Sequence, residues 1–160
     1  MEERRPAPDR SITSVVSGRT IRLREPGAPL VLIFTNQATA DRATALRTAL
    51  RERFPDPAAV IIASVVDVGG VPRLMRRMAE GALANRYREL AGALGPGKDP
   101  AAYLVMCPDW EGNLPAAFGL SGLAATLGVA VVDAAGRVVG TCTGDDPLAE
   151  TAALVESALA

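Results

Sequence analysis

The stretch "LVLIFTNQATADRATAL", Leu30 to Leu46, decides how this chain is read. Its first six residues, Leu30 to Thr35, form an unbroken apolar run, which suits a strand covered on both faces. A short polar loop follows. From about Asp41 to Phe54 the apolar residues return at helical spacing: Ala43, Leu46, Leu50 and Phe54 share one stripe, while Arg42, Arg47, Arg51 and Glu52 mostly face water. Thr39 is the expected helix cap, and Asp41 suits the positive end of the helix. Buried strand, loop and amphipathic helix in that order are the unit of an α/β sheet.

Working outward, the unit repeats. "AVIIASVVDV", Ala59 to Val68, reads as a second buried strand, broken by Gly69-Gly70. Pro72 fits the first turn of a long helix over 71–94, with Met75, Met78, Ala79, Ala82, Leu83, Tyr87, Leu90 and Leu94 as its apolar face. "AAYLVMC", Ala101 to Cys107, reads as a third strand. "PDWEGNLPAAFGLSG" reads as a loop with one helical turn, Pro115 to Phe118, capped by Asn113. "GVAVVDAAGRVVGTC" holds two β-rich runs that turn through Asp133 to Gly136. A last helix starts at Asp146-Pro147 and buries Leu148, Ala152, Val155 and Leu159. Upstream, Ser14 to Leu23 resembles a small hairpin around Ser17-Gly18, and residues 1–11 read as a flexible tail. The expectation is a single domain over 12–160. Its sheet is mixed and mostly parallel, with helices on both faces and an N-terminal β-hairpin.

Composition narrows the chemistry. The chain has 160 residues, 49% hydrophobic and 22% charged, with a net charge of −1, which argues against nucleic-acid or anionic-membrane partners. Lys98 is its only lysine beside many arginines, which we ascribe to biased codon usage. There is no histidine, which removes the commonest general base and zinc ligand together. The two cysteines, Cys107 and Cys142, form no CxxC pair, so neither a zinc knuckle nor a dithiol motif is present, and no metal or cofactor is expected. No run approaches the ~18 apolar residues of a membrane span. The N-terminal residues lack the apolar centre of a signal peptide, so a cytoplasmic protein with reduced thiols is expected.

The order of elements and four local patterns resemble the thioredoxin-like superfamily, and within it the redoxin branch of peroxiredoxin-like and thiol-reductase-like domains. "VLIFT" resembles the strand leading to that family's active site, and "IIASVVDV" the next strand. "CPDWEGNLPAAFGLSG" resembles its Asp-x-x-Gly, short-helix, aromatic-Gly segment, and "VAVVDAAGRVVG" its closing hairpin. The resemblance implies a three-layer sandwich with the active site at the head of the first long helix. It places the two redox cysteines at Thr39 and Arg42, in the tetrapeptide "TADR". The cis-proline that such a fold sets before the next strand is missing from "GLAATLGVAVVD". This resembles a thioredoxin-like scaffold without the usual redox chemistry. A helix N-terminus lowers a cysteine pKa, whereas a threonine hydroxyl gains little from it and needs a separate base.

Other candidates follow from position. Cys107 and Cys142 are each a relocated reactive thiol or a small core hydrophobe; core is the first reading. Thr35, Asn36 and Gln37, with Asp67, Gly69 and Gly70, sit at the carboxyl ends of adjacent strands, where open α/β sheets hold ligands; Arg42 would supply a counter-charge to a small anion. The arginines of the long helix read as a solvated face. Trp110, in "PDWEG", is either a binding edge or a lid on the core. Asp109 and Glu111 alone make a weak metal case. The main functional expectation is a redox-silent binding or interaction module, its partner another protein or a second copy. The alternative is an unconventional thiol oxidoreductase or peroxidase using Cys107 or Cys142.

Overall fold

The computed structural model describes residues 3–160. Its main sheet has five strands, in the order 105–109, 61–67, 30–35, 127–132 and 138–144. Leu30–Thr35 forms β3 and is buried at all six positions, as its unbroken apolar run requires of a central strand. β4 (Ile61–Asp67) and β5 (Val105–Asp109) run parallel to it on one side. β6 (Leu127–Val132) and β7 (Val138–Gly144) continue antiparallel on the other. The pairings are thus evenly mixed, where mostly parallel ones were expected, because the closing hairpin joins the sheet beside β3.

On one face, α1 (Ala40–Arg53) and α5 (Leu148–Leu159) bury Ala43, Leu46, Leu50, Ala152 and Val155 against Val31, Ile33, Val129 and Val131. The other face joins Leu30, Leu32, Phe34, Ala63 and Val65 to Leu114, Phe118 and the hairpin residues Ile12, Ile21 and Leu23. That hairpin pairs β1 (Ser11–Thr13) with β2 (Thr20–Arg22). Phe34 and Phe118 meet with ring centroids 5.8 Å apart, in the tilted arrangement aromatic pairs prefer. None of the described helices is long and apolar enough to cross a membrane.

Several expectations need correction. Residues 1–2 of the expected tail lie outside the described residues, but the rest of it is docked. Ala7 is fully buried, Pro6 bridges Arg137, and Val138 donates to the Arg5 carbonyl at 2.8 Å. This strap covers the first part of the β7 edge, and a proline there costs no ladder bond when its nitrogen faces away. Gly136 holds the hairpin turn beside it at φ +83°, and a Cβ there would meet the Arg24 carbonyl oxygen at 2.0 Å. Residues 100–103 form a helical turn, α3 (Pro100–Tyr103), instead of the start of a strand, because Asp99 caps it and proline fills its first position. The long helix begins late: a 3₁₀ turn, Arg73–Met75, precedes α2 (Arg76–Gly92). Met75 and Met78, expected in the core, are exposed, and the packed face starts at Leu83 and centres on Tyr87. The turn after β5, α4 (Leu114–Ala117), takes its cap from Asp109, whose Oδ2 accepts from Leu114 N–H at 2.9 Å; Asn113 makes no cap bond. Leu159, at the end of α5, is exposed.

Candidate functional site

β3 delivers Thr35 to the head of α1, where a 3₁₀ turn, Gln37–Thr39, links strand to helix. The cap of that turn is Asn36, not Thr39. Asn36 Oδ1 accepts from the Thr39 N–H at 3.1 Å, and Thr39 Oγ1 accepts from the Asn36 N–H at 3.0 Å. This is a capping box in which a threonine takes the place of the usual acid or amide. The Thr39 hydroxyl also lies 2.7 Å from that of Thr35, and Thr39 is 0% exposed. A hydroxyl so enclosed has no open side for a substrate, so Thr39 holds the loop and attacks nothing.

The other half of the degenerate motif is equally occupied. Arg42 pairs with Asp145 and donates to the Ala125 carbonyl at 2.9 Å. Asn36 Nδ2 donates to the carbonyls of Leu123 and Ala124, at 3.3 and 3.0 Å. The two side chains latch the 123–125 segment to the head of α1, the place where the resembling fold sets its cis-proline. All described peptide bonds are trans. Arg42 is therefore committed and supplies no free counter-charge to an anion.

The latch closes one wall of a cleft of about 340 Å³, lined by Phe34, Thr35, Asn36, Asp67, Leu120 and Leu123 among others. The structure thus brings Thr35, Asn36 and Asp67 together as expected. Gln37 instead lines a neighbouring cleft between α1 and α2, of about 510 Å³. Gly69 and Gly70 line neither. Gly69 donates to Asp67 Oδ1 at 2.9 Å, and a Cβ on it would lie 2.9 Å from the Gly112 Cα. Its role is to let the loops after β4 and β5 touch. Asp109 is buried and fully engaged, accepting from Gly112 and Leu114 and facing Arg10 at 3.7 Å. Among the described residues no group of three or more acidic or cysteine side chains is placed to hold a metal.

The thiols lie elsewhere. Cys107 sits in β5, 1% exposed, and burial pushes its thiol up to about 12, with Arg19 pulling weakly the other way. Cys142 is half-buried in β7, its Sγ 3.5 Å from Thr151 Oγ1, and burial raises its pKa as well. Cys107 shares a row across the sheet with Val65, Phe34, Gly128 and Thr143, so it points to the opposite face from Cys142. Four strand spacings, about 19 Å, separate the two edges. No disulfide can join them. Trp110 is half-buried with the Arg76 guanidinium 5.2 Å from its ring centroid, so its face is partly taken within the chain. The sequence pattern did not single out Asn36 as the latch, because its partners are backbone carbonyls almost ninety positions away.

No family model matches the sequence, and no curated protein matches it. Solved structures do. A crystal structure from Chlorobium tepidum, described as a thiol:disulfide interchange protein DsbE, aligns over 100% of this chain and 99% of its own, at TM-score 0.64 and 15% identity. The exposed lipoprotein thioredoxin Etrx1 of Streptococcus pneumoniae strain TIGR4 aligns over 92% of this chain and 98% of its own, at TM-score 0.58 and 22% identity. StoA from Bacillus subtilis aligns over 93% and 98%, at TM-score 0.57 and 12% identity. The chain has the thioredoxin-like fold.

Proposed function

We propose that this is a thioredoxin-fold binding module whose α1 head does no thiol chemistry, and whose cleft between Asn36, Asp67 and Leu120–Ala124 receives a segment of a partner protein or a second copy. The observation that carries this reading is Thr39, shut inside a satisfied hydrogen-bond cluster at the position where the resemblance sets the reactive sulfur. A second reading, an unconventional thiol oxidoreductase, draws support from the names of the similar structures, which include thiol:disulfide interchange proteins. Comparison favours this second reading over a redox-silent module; the side chains of this chain favour the first. Cys142 is its better candidate, since Cys107 is nearly inaccessible.

Thiol-probe labelling against pH separates the two. With both pKa values raised, the native protein labels negligibly at pH 7, and Cys107 stays silent until pH approaches 12 or the fold is lost. A labelling plateau below pH 7, together with a disulfide reductase activity that Cys142→Ser abolishes, would replace the binding reading with the enzymatic one.

A further inference from the structure

A third cleft, of about 560 Å³, lies between the C-terminal half of α1 and the α2–α3 connection. We infer that it binds an organic phosphate monoester, the dianion held by Arg47, Arg51 and Lys98 and the organic part resting on Tyr103, Leu90 and Leu94. All six residues line this cleft.

The argument starts from unmet positive charge. Arg4, Arg42, Arg53 and Arg86 each reach a carboxylate. Arg47, Arg51 and Lys98, like several other arginines among the described residues, reach none, but these three share one cleft. Arg51 is fixed in place through Nη1, which donates to the carbonyls of Phe54 and Val60 at 3.2 and 2.9 Å. Its Nη2 is buried and makes no hydrogen bond. A buried donor left unpaired is uncommon in a folded protein, and a ligand oxygen meets this one only after a small shift of the Arg51 side chain toward the cleft. Arg47 makes no hydrogen bond either among the described residues, and burial with the nearby Arg86 and Arg51 lowers its pKa. Lys98 Nζ and the Arg51 guanidinium both lie by Tyr103, 5.4 and 5.7 Å from its ring centroid. The one acidic lining residue, Glu52, is exposed and forms no ion pair among the described residues.

Three cations against Glu52 and the nearby Asp56 still leave the cleft positive, which suits an anion. Two guanidinium forks match phosphate oxygens in geometry, and a lysine adds a point charge. The cleft is also far larger than one phosphate, in the range of small-molecule sites. Its leucines, proline and tyrosine call for an attached organic group. The site lies apart from the head of α1, so it stands whichever reading of the thiols holds.

The single lysine supplies the probe. Reductive methylation with ¹³C-formaldehyde keeps the Lys98 charge and gives it one NMR signal apart from the terminal amine. The full chain is titrated at constant ionic strength with phenyl phosphate, inorganic phosphate and sulfate. Phenyl phosphate should shift the Lys98 signal saturably, and inorganic phosphate and sulfate should bind several-fold more weakly. Arg47→Ala should weaken phenyl phosphate binding about tenfold without lowering thermal stability. Lys98→Ala, at an exposed position that the fold does not need, should weaken it several-fold when followed on the Tyr103 ring signals. Shifts that never saturate, equal binding of the three anions, or undiminished affinity in both variants would overturn the proposal.

Discussion

Both long helices of this protein open on one 3₁₀ turn, and the two turns have opposite fates. The turn before α1 is closed by the reciprocal bonds of Asn36 and Thr39, with Thr39 buried while Gln37 and Ala38 stay exposed. The turn before α2 follows Pro72, has no side-chain cap, and leaves Leu74 98% and Met78 69% exposed. The difference is one of place. The α1 turn leaves the central strand, where every polar group cut off from water must find a partner. The α2 turn follows β4 at the carboxyl end of the sheet, where its side chains are exposed and water can do the pairing. A resemblance to redox proteins directs attention to the first turn, whose polar side chains are spent on its own bonds, while the second keeps large apolar side chains exposed.

Three variants test that contrast, taken from the largest effect to the smallest. Leu50→Ala, in the fully buried stripe of α1, should cost about 3 kcal/mol in urea unfolding. A cost below about 1 kcal/mol would show that α1 is not packed as described. Asn36→Ala removes the cap and both carbonyl bonds to the 123–125 segment, and should cost about 2 kcal/mol. Hydrogen exchange at Leu123–Ala125 should rise with it; unchanged exchange would refute the latch. Met78→Gln should change stability by less than about 0.5 kcal/mol, and a large loss would mean that this side chain is covered in the working protein.

Much of the fold was legible because central strands and one-sided helices leave strong patterns. "LVLIFT" could only be a covered strand, and the Asp133–Gly136 hairpin stood out by its turn. The failures share a cause. Met75 and Met78 sit at helical spacing with Leu83 and Tyr87, but periodicity tells which residues share a face, not where along the helix the packing begins. Residues 100–103 are apolar enough for a strand, and that apolar run outweighs the single Asp99-Pro100 pair that caps a helical turn there. The charged N-terminal residues look free in the sequence because their partners, backbone carbonyls and side chains such as Asp133, lie far along the chain. At the candidate site, Thr39 and Arg42 stand in the sequence where the resemblance sets the two cysteines. Their roles in the latch were not readable, since those roles depend on hydrogen bonds to residues 123–125 and 145.

The strap of Arg4–Ala7 has a consequence for biosynthesis. Its bonds to the hairpin span as many as 133 positions, from the Arg4 carbonyl to Arg137. A ribosome therefore releases the strap long before it makes the strand edge that receives it, and loop closure over that distance comes late. Residues made more than a hundred positions apart dock together, so a nascent chain halted before Arg137 would carry both a loose upstream segment and a raw β6 edge open to aggregation.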